Sequence, residues 1–190
     1  MNQVSGLSVA TAHFVGGVTS DMTGGSLKCD DLTANFDQDR KLRFARCEGN
    51  VEFDATGDNP WKMKSATADA VFKDGVLQQV ISRGDDAHKV EVVDQTRTLL
   101  SRLLTLILEQ AADGSNSISR AVAEQDVSVT YNQDPPILAT GDKLVWDRVS
   151  NNYTLTGEPR ARLIRGGIPT SSSTIVISRP TGASPGGPLP

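Results

Sequence analysis

The sequence predicts an all-β fold, a stack of repeated antiparallel hairpins within a single domain. Three observations carry that prediction. Short, mostly glycine-containing segments recur at the ends of apolar stretches: Gly17-Val18, Gly49-Asn50-Val51, Gly84-Asp85 and Gly157-Glu158, with Glu124-Gln125-Asp126-Val127 filling one place without its glycine. Their spacings of 32, 35, 40 and 33 residues are those of one supersecondary unit repeated along the chain. Between these landmarks apolar and polar residues alternate with a period of two, the pattern of half-buried strands. The composition agrees: 17 glycines and 9 prolines are spread through a chain that is only 37% hydrophobic, which suits many short strands and turns.

In the first complete row, Leu32-Thr33-Ala34-Asn35-Phe36 alternates, Asp37-Gln38-Asp39-Arg40 turns, and Leu42-Arg43-Phe44-Ala45 alternates again. Centring the turn near Gln38 sets Ala34 opposite Leu42, Leu32 opposite Phe44, and Cys29 opposite Cys47. The second row runs through Ala66-Thr67-Ala68-Asp69-Ala70-Val71-Phe72 to Lys73-Asp74-Gly75, a strong turn signal, and on into Val76-Leu77-Gln78-Gln79-Val80. In the fourth row Asp142-Lys143-Leu144-Val145-Trp146 meets Tyr153-Thr154-Leu155-Thr156-Gly157 through a polar turn over 148–152, placing Trp146 beside Tyr153 and Leu144 beside Leu155. Residues 172–178 supply one more β-branched strand, completing a domain over 1–179. Residues 180–190 form a Pro/Gly-rich tail with little to bury, expected to be disordered.

The third row pulls two ways. Leu99, Leu100, Leu103, Leu104, Ile107, Leu108 and Ala111 fall at helical spacing. The repeat register makes residues 98–108 the first strand of a hairpin that turns through 112–116 into 118–129. A helix here would leave the neighbouring sheet edges unpaired, so strand is the expectation, although apolar residues then occupy both faces.

The formal charge is −4, and basic residues are scattered rather than clustered, which argues against nucleic acid as a partner. No stretch approaches the roughly 20 apolar residues of a membrane helix. Residues 1–10 lack the charged start and apolar run of a signal peptide, so the expectation is either a cytoplasmic protein or a chain whose targeting segment has been removed. His13 and His88 lie in different rows with no ligand partner at metal spacing. Asp37 with Asp39, and Asp85 with Asp86, sit where turns are expected. There Asp serves its own backbone rather than acid–base catalysis. Ser171-Ser172-Ser173 lacks a nucleophile elbow, and Gly24-Gly25 and Gly166-Gly167 lack the helix that a phosphate loop needs, so both glycine pairs are read as turns. No catalytic residue, metal or cofactor is expected, and a cupin-like enzyme is disfavoured by the isolated histidines.

Several of these segments together resemble the OstA-like lipopolysaccharide-transport family. The resemblance is carried by Ala34 through the turn to Leu42, then Ala45 and Glu48-Gly49-Asn50-Val51. It continues in residues 66–70, Gly75-Val76-Leu77, Arg97-Thr98-Leu99, Ala139-Thr140-Gly141-Asp142-Lys143-Leu144, and Leu155-Thr156-Gly157 followed by Pro159 and Ala161. It covers residues 15–177. It implies a folded-over antiparallel sheet, a β-jelly-roll whose interior receives lipid acyl chains. It further implies a periplasmic location, lipopolysaccharide or a similar amphiphile as ligand, and envelope transport proteins of the same fold as partners. Copies of the chain would join end to end.

On that expectation the groove is lined by Leu32, Ala34, Phe36, Leu42, Phe44, Ala66, Ala68, Ala70, Leu144, Trp146 and Leu155, the alanines leaving room for a guest. The other reading of the same residues is a dry core in a structural or interaction module of the cell envelope. Cys29 and Cys47 are read either as a cross-strand disulfide formed in an oxidising compartment or as two small buried hydrophobes.

Overall fold

The computed structural model describes residues 10–178 apart from 23, 58–59 and 111–115. The expected tail at 180–190 and most of the expected turn at 112–116 lie outside the described residues. The described residues form twelve strands: β1 (Thr11–Met22), β2 (Gly25–Phe36), β3 (Leu42–Ala55), β4 (Trp61–Lys73), β5 (Val76–Arg83), β6 (Val90–Asp94), β7 (Arg97–Ser101), β8 (Leu103–Gln110), β9 (Asn116–Tyr131), β10 (Ile137–Asp147), β11 (Asn152–Arg165) and β12 (Ile168–Ser178). Every pairing is antiparallel, and all strands belong to one sheet. The path across it is β1-β2-β3-β4-β5-β8-β9-β10-β11-β12, with β6 and β7 continuing the lines of β5 and β8. The all-β reading holds, and 97–110 is strand rather than helix.

The glycine-centred landmarks are not exits from hairpins. All but Gly84-Asp85 lie in mid-strand, and the pairing register shifts along the same line: between Val15 and Val18 on β1, Glu48 and Val51 on β3, Gly141 and Lys143 on β10, and Thr156 and Ala161 on β11. A β-bulge adds a residue to one strand and bends it, and bulges aligned from strand to strand bend the whole sheet along a line. At Gly49 (φ 73°) a Cβ would meet the Asp30 carboxylate, which accepts a hydrogen bond from Asn50 Nδ2 at 2.8 Å, so one acid seats the bulge of the next strand. On β9 the bend falls at Gln125 and Asp126, both at positive φ, and Lys89 Nζ braces it with an ion pair to Asp126 at 2.6 Å. In the third row the bend becomes a break. β5 gives way to β6 across 84–89, and β7 to β8 at Arg102, whose amide donates to the Gln125 carbonyl.

The line divides the sheet into two arms. The first arm holds the strand segments on the side of the 37–41, 74–75 and 148–151 turns; the second holds those on the side of the 95–96, 132–136 and 166–167 turns. Side chains facing inward run in rows across the strands. Cross-strand partners define one row in the first arm from Phe14 through Leu32, Cys47, Ala68, Ser82, Leu104, Ala123, Leu144 and Leu155 to Ile175. A matching second-arm row passes from Leu27 through Phe53, Met63, Val92, Leu99, Val129 and Ala139 to Leu163. Leu104, Leu106, Trp146, Tyr153 and Leu155 of the first arm share one buried cluster with Met63, Val90, Val92, Leu99 and Val129 of the second. The arms therefore close face to face, as a folded-over sheet does.

Candidate functional site

The concave surface between the arms is the candidate site, and its filling changes along the molecule. From β8 to β11 the inward positions are large and closed: Leu104, Leu106, Trp146, Tyr153 and Leu155 are all 6% exposed or less. From β1 to β4 a parallel first-arm row reads Ala12, Ala34, Ala45 and Ala70 before it meets Val80, Leu106, Ala121, Trp146 and Tyr153. Of these four alanines only Ala34 is buried; the others are half-buried, and Phe14 beside them is 52% exposed. The buried residues of this half make only a small cluster at the fold line, Cys29, Cys47, Val51 and Ala68, backed by Val18, Leu27 and Leu32.

Toward the rim of the first arm a strip of larger residues continues the inner face: Phe36 paired with Leu42, Phe72 with Leu77, and Leu108 with Ile118, all half-buried. Next to it a recess of about 420 Å³ opens, lined by Ala10, Phe36, Asp37, Gln38, Asp39 and Arg43. The rim of the second arm differs. There Asp94 and Arg97 face inward across the tight β6–β7 turn and form a buried ion pair, Arg97 Nη2 to Asp94 Oδ2 at 2.6 Å, with the Arg97 guanidinium 6.0 Å from the centroid of the Tyr131 ring. Burial would raise the Asp94 carboxyl, but hydrogen bonds from Arg97 and Thr96 outweigh it and hold that carboxyl below its ordinary value. Phe53 and Trp61 pack along the same rim with ring centroids 5.1 Å apart and planes tilted by 48°. One edge of the concavity thus carries an apolar strip beside a polar recess, and the other mixes aromatic rings with a neutralised charge pair.

Of the eleven expected lining residues, Leu32, Ala34, Phe36, Leu42, Ala68, Ala70, Leu144, Trp146 and Leu155 stand on the inner face. The pairs Trp146–Tyr153 and Leu144–Leu155 form as expected. Ala66 sits at the fold line, between the Ser65–Val51 and Thr67–Glu48 pairs. Phe44 is a correction. It pairs with Asn35 and Val71 and stands on the outer face, because Ala34 lies opposite Ala45 and not Leu42, and Leu32 opposite Cys47 and not Phe44. The cause is a register shift next to the turn, where Asn35–Phe44 is followed by Phe36–Leu42 and Arg43 is left over. The sequence reading passed over Ala12, Ala45, Phe72, Leu77, Leu108 and Ile118, all of which the period-two rule places on the inner face once the register is known.

Cys29 and Cys47 are likewise not cross-strand partners, since Cys47 pairs with Leu32 and Ala68. The two thiols nevertheless meet across the bulge and share a hydrogen bond, both fully buried and free. Burial pushes both thiols up, Cys47 to about 12 with its Cys29 neighbour adding to the effect.

His13 and His88 are exposed on different parts of the surface, and the nearest carboxylate oxygen to His88 Nδ1 is that of Asp85 at 3.6 Å. The Asp37 carboxylate accepts from the Asp39 and Lys41 amides and that of Asp85 from the Ala87 and His88 amides, so both serve their own turns. Among the described residues no group of three His, Cys, Asp or Glu side chains could hold a metal ion, and no helix is long and apolar enough to cross a membrane. No family model matches the chain, and no curated protein matches it.

Proposed function

We propose that the protein is a non-enzymatic periplasmic carrier that binds lipopolysaccharide or a similar amphiphile between its arms and bridges envelope transport proteins of the same fold toward the outer membrane, as the resemblance to the OstA-like family implies. The observation that carries this reading is the inner row from Phe14 to Ile175, which runs unbroken from one free sheet edge to the other. A concavity left open along β1–β4 by its alanine row and walled by apolar side chains suits an apolar guest better than a small polar one. The alanine row of β1–β4 leaves the space, and the strip of Phe36, Leu42, Phe72 and Leu77 supplies the apolar wall.

The edges support the bridging part. The sheet path has ten members, so β12 runs opposite to β1, and a second copy laid head to tail would continue the antiparallel order. Edge strands are ordinarily blunted by charge or brevity. Here β1 is twelve residues long with Asp21 as its one carboxylate, β12 is eleven residues long with no charged residue, and both expose apolar side chains at Phe14, Val15, Ile168 and Val176. Placing Phe14 of the next copy beside Ile175 would prolong the inner row from one copy into the next.

A structural module draws support from one specific observation, the closed packing of β8–β11. The two readings part in one experiment. Chain purified from a cell-envelope fraction is extracted for lipid mass spectrometry and, in parallel, sedimented over a range of concentrations. Stoichiometric amphiphile with concentration-dependent oligomers is the expected result; a lipid-free monomer would leave the structural module.

A further inference from the structure

Several cations in the sheet are answered by an acid on a neighbouring strand. On the outer face Lys64 meets Glu52 at 2.9 Å, Lys62 meets Asp54 at 3.0 Å, Lys143 meets Glu124 at 2.9 Å, and Arg83 and Arg46 flank Asp69 at 2.6 and 3.7 Å. The second-arm half of β11 holds three cations in a row without such a pair. Arg160, Arg162 and Arg165 are all exposed, and among the described residues none of the three has a carboxylate within 4.0 Å. Their cross-strand partners are uncharged: Arg162 stands between Thr140 and Ser171, and Arg165 between Ile137 and Ile168. From residue 160 to 178 the chain contains these three arginines and no Asp or Glu. In a protein of net charge −4 this is a local concentration of unanswered positive charge.

The surface around it is apolar. Leu138, 37% exposed, Ile164 and Pro169 pair in a row on the outer face, and Ile168, 72% exposed, stands beside Arg165 on the opposite face at the rim. At the tip the 166–167 turn rests on Pro135 and Pro136, with the Gly166 amide donating to the Pro136 carbonyl. Unpaired guanidiniums beside exposed Ile, Leu and Pro side chains match the interfacial zone of an anionic bilayer, where phosphates meet the arginines and the apolar tip enters the head-group boundary. A free phosphate would account for the arginines and leave the apolar tip without a role.

We propose that this tip, formed by the 132–136 and 166–168 segments with Arg162 on the outer face of β11, Arg165 at its inner rim and Arg160 exposed beside them, docks the protein onto an anionic lipid membrane. Arg162, Ile164 and Leu138 face away from the concavity between the arms, and vesicle binding by the tip is read separately from guest binding inside it.

The test is co-sedimentation of the full chain with vesicles of phosphatidylcholine containing phosphatidylglycerol, against vesicles of phosphatidylcholine alone. Wild type is expected to bind the anionic vesicles and to be released by high salt. Combining Arg160→Gln, Arg162→Gln and Arg165→Gln is expected to weaken binding roughly a hundredfold, as three basic residues at an anionic surface imply. Combining Lys28→Gln, Lys62→Gln and Lys64→Gln removes the same formal charge elsewhere and is expected to leave binding within about twofold. Ile168→Asn removes the apolar tip without changing charge, separates insertion from attraction, and is expected to weaken binding with all three arginines in place. Circular dichroism checks folding, and the single change Arg162→Glu, expected to weaken binding, replaces the triple should the latter not fold. Absence of wild-type binding, or equal losses in the two triple variants, would overturn the proposal. So would a β11 triple that loses self-association yet keeps its vesicle binding, because the patch would then belong to an interface between copies.

Discussion

The β1–β4 and β8–β11 halves of this molecule share one backbone plan and differ in what they put inside it. In both, long antiparallel strands bend at mid-length bulges, and the same inner rows pass through each. Where a row reads Ala12, Ala34, Ala45 and Ala70 the arms enclose little, and where it reads Leu106, Ala121, Trp146 and Tyr153 they close on a packed core. Sheet closure and sheet filling are therefore separable properties: bulge positions set the first, side-chain volume along a row sets the second. A protein that must stay folded while its interior changes occupancy gains from keeping the two apart.

The largest expected break of this comparison is in the packed half. Leu155 is 0% exposed, and Leu155→Ala should cost about 3 kcal/mol by transfer loss and cavity formation, read as a shift in denaturant midpoint. Phe36→Ala, at a half-buried rim position of the other half, should cost about 1 kcal/mol while lowering amphiphile binding severalfold. Equal destabilisation by the two would show that the β1–β4 half is packed as tightly as β8–β11.

Opposite signs are expected when alanines of one row are enlarged. Ala121 is 4% exposed, so Ala121→Leu should overpack and destabilise by about 2 kcal/mol. Ala70→Leu enters open space and should be neutral or stabilising by up to about 1 kcal/mol, at the expense of guest binding. Thermal unfolding with and without lipid reads both effects.

The second-arm rim offers an acid test. The folded Asp94 carboxyl titrates below its ordinary 3.8, so its contribution is fully present above that pH and is lost as pH falls through the lower folded value. In Asp94→Asn that component of acid unfolding should be absent, and stability at neutral pH should drop by about 3 kcal/mol, because Arg97 is left buried without its counter-charge. The thiols give the corresponding alkaline test. Cys47 is raised from 9.0 to about 12 in the fold, so the reduced protein should be fully stabilised by it below pH 9 and should lose that stability as pH rises toward 12. Cys47→Ala should flatten this alkaline limb. Mass spectrometry of denatured, unreduced chain from an exported source would show whether Cys29 and Cys47 join as a disulfide.

Particular residues show how far the sequence was readable. The β10–β11 pairs Trp146–Tyr153 and Leu144–Leu155 could be placed because the turn over 148–151 adds no irregularity between them. The β2–β3 pairs could not, because the leftover Arg43 shifts the register beside a turn that otherwise looks ordinary, and Phe44 moves to the outer face. The glycine landmarks were visible, but a bulge in mid-strand and a turn after a strand call for the same residue, so their role at the fold line emerged only from the pairing. The helical spacing around Leu99 has a similar origin. The break at Arg102 changes which parity faces inward, so Leu99 and Ser101 are inner residues of β7 and Leu104 and Leu106 are inner residues of β8. Two short strands with opposite parity thus imitate one helical stripe.

The claim that the open half receives the guest is tested most directly by photo-crosslinking at matched positions of one row. A photoreactive phenylalanine analogue is placed at Ala70 or at Ala121 of the full chain, which is then incubated with purified lipopolysaccharide and irradiated. The account predicts a crosslink from position 70 and little or none from position 121; no crosslink from position 70, or equal capture from both, would contradict it.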